Sequence, residues 1–206
     1  MLEGRDIECT RGDRILFRNV SFALERGSLL RIAGANGSGK TSLLRIVCGL
    51  AVPTVGEVRW RGESVRRLRE EYWKDVVYVA HASAVKDDLT AQENVETGCR
   101  LAGLHVDSND AAAALDQFGI AHCAQLPTRS LSQGQRRRVA LARLALSEQL
   151  AVWVLDEPFT ALDVAAVAFL QGLIAAHLAR GGMVILTTHQ EVAIEAAVSL
   201  RIDLNG

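Results

Sequence analysis

The chain has 206 residues, 49% of them apolar, with 23 Lys and Arg against 24 Asp and Glu. That is the size of one domain able to build a core, and a net charge of −1 argues against nucleic-acid binding, which calls for a strongly basic face. No apolar run approaches the roughly 20 residues that span a bilayer, and the first six residues lack the basic-then-apolar layout of a signal peptide. The chain is therefore expected to stay in the cytoplasm.

In chain order, residues 2–9 read as a strand, followed by a turn at Arg11-Gly12-Asp13. A second strand spans 15–24, and a short buried one spans 28–33. A Gly-rich loop then opens a helix over 41–48, closed by Gly49. Residues 56–60 and the turn at Gly62 suggest another strand pair, and 76–80 is a β-branched apolar run. From about 89 to 146 the β-branched runs vanish, Ala and Leu dominate, and the spacing becomes helical. Strand and helix then alternate: strand 151–155, helix 164–179, strand 183–187, helix 191–197 and a last strand near 199–204. The fold class is α/β, a single domain over 1–206 interrupted by a helical insert at about 86–146. The cysteines, Cys9, Cys48, Cys99 and Cys123, are scattered without a C-x-x-C pair and read as ordinary small apolar residues.

Gly34-Ala35-Asn36-Gly37-Ser38-Gly39-Lys40-Thr41 matches G-x-x-x-x-G-K-[ST] in full, after a buried strand and at the start of a helix. In that pattern glycines let backbone N–H groups converge on phosphate oxygens, and the helix N-terminus adds partial positive charge. Lys40 is expected to contact the β- and γ-phosphates, and the Thr41 hydroxyl to ligate Mg²⁺. The strand at 151–155 runs into Asp156-Glu157, which places two carboxylates at the edge of the sheet where ligands bind. Asp156 is expected to hold Mg²⁺ through water, and Glu157 to polarise an attacking water as general base. No N-K-x-D guanine-reading motif occurs, which argues against a GTPase.

Leu131-Ser132-Gln133-Gly134-Gln135 resembles the L-S-G-G-Q signature of the ABC ATPase family, with Gln133 in place of the first glycine. The resemblance extends over essentially the whole chain. It implies an ATPase with an antiparallel β subdomain and a helical subdomain, working as a homodimer on membrane-embedded permease subunits at the cytoplasmic face of the plasma membrane. It also implies that Ser132, Gln133, Gly134 and Gln135 act on the ATP held by the partner copy. By the same resemblance Asp163, in Ala161-Leu162-Asp163, couples the two sites, and His189 contacts the γ-phosphate. Leu89-Thr90-Ala91-Gln92-Glu93-Asn94 resembles the opening of the helical insert. The run Arg136-Arg137-Arg138 reads as a solvated helix face.

Two family positions differ. The aromatic that stacks on adenine falls near Arg11, which either stacks in its place or is a surface turn residue. The glutamine that links nucleotide to permease is replaced by His81, so that His81 takes over the role or the linkage is weaker. His81, Leu16-Phe17, Gly56-Glu57-Val58-Arg59-Trp60, Lys86, the run from Asp156 to Asp163, and Ile185-Leu186-Thr187-Thr188-His189-Gln190 are most similar to the ATP-binding subunits of the haem exporter in cytochrome c maturation. No regulatory domain is expected after Gly206. That branch implies ATP and Mg²⁺ as ligands and an indirect link to a haem chaperone. The alternatives are an ABC transporter of another cargo, or a non-transport ABC ATPase. The latter normally has two cassettes in one chain or a long coiled coil before the signature.

Overall fold

A computed structural model describes residues 1–82, 84–190 and 192–204. The antiparallel part opens the chain. β1 (Leu2–Arg11) and β2 (Arg14–Leu24) form a hairpin whose tight turn uses Gly12 at φ 58°, a left-handed conformation in which glycine carries no Cβ penalty. β3 (Ser28–Ala33) leaves this sheet for the core, and α1 (Lys40–Val47) follows the Gly-rich loop. β4 (Val55–Trp60) and β5 (Glu63–Ser64) return to the antiparallel sheet, whose order is β2-β1-β4-β5. Two four-residue helices come next, α2 (Val65–Leu68) and α3 (Glu70–Trp73), separated by Arg69 at φ 39°.

The second sheet contains β6 (Val76–Val79), β7 (Val152–Asp156), β8 (Met183–Thr187) and β9 (Val198–Asp203), in the order β6-β7-β8-β3-β9, all parallel. Between β6 and β7 the ordered elements are helical: α4 (Ala91–Leu101), α5 (Ser108–Gln117), α6 (Gln133–Ala142) and short 3-10 turns. α7 (Val164–Ala179) joins β7 to β8. The start of α4 has a sequence cause. Thr90 accepts from the Glu93 N–H at 3.1 Å while the Glu93 carboxylate accepts from the Thr90 N–H at 2.8 Å, a reciprocal cap.

The period-2 alternation of the parallel strands divides the core in two. Trp153, Leu155, Val184 and Leu186 point to one face, with Leu170 and Ile174 of α7 and the buried residues of the helical insert. Val152, Val154, Met183 and Ile185 point to the other, against α1 and the antiparallel sheet. On that side α1 buries Leu43, Leu44, Ile46 and Val47, each contributing about 1.5–3 kcal/mol of burial free energy. α1 is thereby fixed against β7, and the loop before it is fixed with it. The four cysteines are free thiols, three of them buried, as ordinary apolar residues would be.

One expected element does not form. Glu191 lies outside the described residues, and 192–197 run without helix. Their carbonyls are engaged by side chains from elsewhere: Val192 O accepts from Arg31 Nη2 at 2.7 Å, and Ala193 O from Gln171 Nε2 at 2.7 Å. Helix propensity is a weak prior that tertiary contacts of this kind override.

Candidate functional site

The carboxyl ends of β3, β6, β7 and β8 converge, and the expected residues follow each of them. After β3 the loop from Gly34 to Gly39 curls so that Ser38 N–H reaches Ala35 O at 3.2 Å. Gly39 caps α1 at φ 101°, and a Cβ there would come within 2.9 Å of the Phe17 ring and 3.0 Å of Leu16. Glycine is required both by the backbone and by the packing. No acidic residue sits in the first turn of α1 and no side chain caps it, so its first N–H groups and dipole remain available to an anion. Lys40, the first helical residue, folds over the loop and donates to Gly34 O at 2.8 Å and Ala35 O at 3.1 Å.

Beside it, the buried Asp156 carboxylate at the end of β7 accepts from Thr41 Oγ1 at 2.8 Å and from Thr187 Oγ1 at 2.7 Å. A hydroxyl and a carboxylate meeting at the foot of a phosphate-type loop form a hard-oxygen pair of the kind Mg²⁺ takes. Glu157, the next residue, is held in the left-handed region at φ 48°, a conformation that costs a non-glycine residue about 1–2 kcal/mol. Its N–H donates to Thr187 Oγ1 at 2.9 Å, and its Oε2 accepts from the His189 N–H at 3.3 Å. Its other oxygen, Oε1, lies 3.4 Å from His189 Nε2 without hydrogen-bond alignment. That oxygen is buried and has no hydrogen-bond partner among the described residues.

A cavity of about 830 Å³ joins these groups: Asn36, Gly37, Gly39, Lys40 and Thr41 on one side, Asp156, Glu157 and His189 on the other, and His81 and Arg11 at its borders. Arg11 is thus placed at the site together with Arg14 and Leu16, and among the described residues no Phe, Tyr or Trp lines the cavity. Gly34, Ala35 and Asn36 also face an adjoining groove with His189.

The signature lies apart from this cavity. Ser132 caps α6, accepting from Gln135 N–H at 3.2 Å while Gln135 Oε1 accepts from Ser132 N–H at 2.9 Å. Gln133 borders a separate cavity of about 360 Å³ shared with His81, Thr160 and Ala161. Gly134 packs directly on the loop after β7, where a Cβ would come within 2.8 Å of Ala161 O. Asp163 caps α7 by accepting from Ala166 N–H at 2.9 Å, and that bond, with Arg138 beside it, holds its carboxyl below the usual range.

The three arginines after the signature are not a solvated face. Consecutive helical residues point about 100° apart, so three in a row cannot share one exposed side. Arg136 pairs with Asp87 and Arg138 with Asp163. Arg137 is buried, and burial lowers its pKa. Its Nη1 donates to Ala80 O at 2.7 Å and His81 O at 3.3 Å; its Nη2 donates to Asp156 O and Glu157 O, both at 2.8 Å. The sequence carried a signal for it: Arg137 stands at i, i+3 and i+4 spacing with the buried Ala140 and Leu141.

Comparison with known proteins identifies the family. The family model described as ABC transporter matches residues 17–160. The chain is 52% identical to the cytochrome c biogenesis ATP-binding export protein CcmA of Nitrosomonas europaea, over 94% of this chain and 91% of that one. It is 47% identical to the protein of the same name from Salmonella typhi, over 100% of this chain and 98% of that one. Among solved structures, a putative ABC transporter ATP-binding protein from Pyrococcus furiosus superposes with a TM-score of 0.83 at 24% identity, covering 98% of this chain and 96% of the other. The ATP-binding cassette MJ0796, in a dimeric post-hydrolysis state with ADP and Pi, gives a TM-score of 0.81 at 26% identity, covering 92% of this chain and 88% of that one. The chain belongs to the ABC transporter family of ATPases, among the ATP-binding export proteins of cytochrome c biogenesis.

Proposed function

We propose that this chain is the ATP-hydrolysing subunit of an ABC complex in cytochrome c maturation, driving haem export or release of the haem-loaded chaperone. The observation that carries hydrolysis is Glu157, which lines the cavity with Lys40, Thr41 and Asp156 and whose buried Oε1 has no hydrogen-bond partner among the described residues. Backbone N–H groups of the 34–39 loop and the start of α1 bind the phosphates of ATP, and Lys40 exchanges its two loop carbonyls for β- and γ-phosphate oxygens. Thr41 and Asp156 would hold Mg²⁺, which when bound would supply neutralisation of the phosphate charge. Glu157 Oε1 accepts a proton from a water aligned on the γ-phosphorus. The new bond from that water's oxygen forms as the bond to the β-phosphate oxygen breaks, leaving ADP and phosphate. His189 contacts the γ-phosphate from the end of β8.

Because Ser132, Gly134 and Gln135 stand apart from the cavity of their own chain, they serve the ATP of a second copy, in a head-to-tail dimer with Asp163 near the junction. The described residues contain no helix long and apolar enough to cross a membrane. The dimer is held by permease subunits at the cytoplasmic face of the plasma membrane, with His81 in the linkage. The cargo reading is supported by the names of the relatives, and it is tested by haem staining of c-type cytochromes in cells carrying Lys40→Ala at the native locus. Loss of covalent haem with apocytochromes still made is the expected result. An unchanged stain from a variant shown to lack ATPase activity would remove the haem assignment and leave an ABC transport ATPase of other cargo.

A further inference from the structure

The guanidinium of Arg137 makes four hydrogen bonds, and each goes to a main-chain carbonyl. A cation withdrawn from water needs such bonds, and a neutralising role would have placed it on a carboxylate. Two of the four define its effect. The carbonyls of Asp156 and Glu157 belong to the peptide groups on either side of the Glu157 Cα, and Nη2 grips both at 2.8 Å. Any rotation of the Glu157 backbone away from φ 48° separates these oxygens and breaks one bond. The other two bonds, from Nη1 to Ala80 and His81, tie the same guanidinium to the segment after β6. Arg137 itself is carried on α6, two residues after the last signature residue.

We infer that Arg137 is a positioning residue for hydrolysis: it holds the left-handed backbone of Glu157 and so directs the carboxylate, making that direction depend on where α6 sits. The inference rests on the reading of Glu157 as general base. A lysine cannot replace it fully, because an ammonium is a point donor and lacks the planar fork that faces two carbonyl pairs at once. A residue that only filled space would need no guanidinium at all.

The test is a double-mutant cycle on the purified protein: wild type, Arg137→Gln, Glu157→Gln and both together, with single-turnover ATP hydrolysis and binding of a fluorescent ATP analogue. Arg137→Gln is expected to lower the hydrolysis rate about 10–100-fold, part of what a general base supplies, while analogue affinity changes less than about threefold. In the Glu157→Gln background the same substitution is expected to cost less than about twofold, since residues acting as one unit are not additive. A rate within twofold of wild type in a folded variant overturns the inference, and so does a loss that multiplies in full in the double variant. Where Arg137→Gln fails to fold by circular dichroism, Arg137→Lys enters the same cycle with an expected loss of about 3–30-fold, on the geometric ground above, and the same two overturning results. If Glu157→Gln alone hydrolyses at the wild-type rate, the base reading falls and this inference falls with it.

Discussion

His177, near the end of α7, is buried against Trp153, with ring centroids 4.0 Å apart and planes 7° from parallel. Neither ring nitrogen has a hydrogen-bond partner among the described residues. Burial, with the charge of Arg180 adding to it, pulls the pKa from the ordinary 6.5 down to about 4. The folded protein therefore holds a neutral imidazole, whereas the unfolded chain takes up a proton as pH falls through 6.5. Between those values the unfolded state binds more protons, so stability falls with falling pH. The loss from this group is about 2 kcal/mol at pH 5 and tends to about 3 kcal/mol below pH 4, at 1.36 kcal/mol per unit. His177→Phe keeps a flat ring on Trp153 and removes the titration. Urea unfolding followed by tryptophan fluorescence at pH 7.5 and pH 5.0 measures the difference. The wild type is expected to lose about 2 kcal/mol more than the variant across that interval. Parallel losses, within about 0.5 kcal/mol of one another, would show that His177 titrates normally in the folded chain and that its burial has been misjudged.

Three further outcomes follow from the site. Glu157→Gln is expected to slow turnover about 10²–10³-fold, the contribution of a lost general base, and to trap an ATP-bound dimer visible by size exclusion; a wild-type rate would remove the base role. Ser132→Arg is expected to abolish hydrolysis while the isolated chain binds nucleotide within about threefold of wild type, because Ser132 lies apart from its own cavity and caps only α6. Lost binding in the monomer would count against action across the dimer. Gly134→Ala places a methyl 2.8 Å from the Ala161 carbonyl; that oxygen is backbone, so α6 must shift. Hydrolysis is expected to fall at least about tenfold with little change in nucleotide affinity, as for a small misplacement of catalytic groups, and unaltered turnover would show that the helix tolerates the shift.

The parts of the site legible in the sequence are those specified by local chemistry. A glycine loop between a buried strand and a helix leaves few backbone solutions, and Gly34 to Thr41 sit where that pattern requires. Asp156 and Glu157 were readable because the four apolar residues that begin β7 must give way where its acids reach the sheet edge. Arg137 was missed because a run of three charges was read by composition, although the helical period already turned its middle member inward. The helix expected from residue 191 onward was misread for a different reason. Its carbonyls bond Arg31 and Gln171 from distant parts of the chain, and no local window contains those partners. The four-residue helices α2 and α3 are shorter than any period can report.

The placement of α6 bears on how two ATP sites could communicate. On the proposed reading, the N-terminus of α6 faces the nucleotide of the partner copy. The same helix is fixed to its own chain at three points between residues 156 and 163: Arg137 on the Asp156 and Glu157 carbonyls, Gly134 on the Ala161 carbonyl, and Arg138 on Asp163. Backbone carbonyls and a close glycine contact have no slack of the kind a long exposed ion pair has. On that reading, a displacement of α6 by one nucleotide would be passed to Glu157 beside the other without a flexible intermediate. The loop it acts on is strained at both Glu157 and Ala161, where φ is 48° and 62°, and a segment held by outside contacts in sparsely populated conformations relaxes when those contacts move.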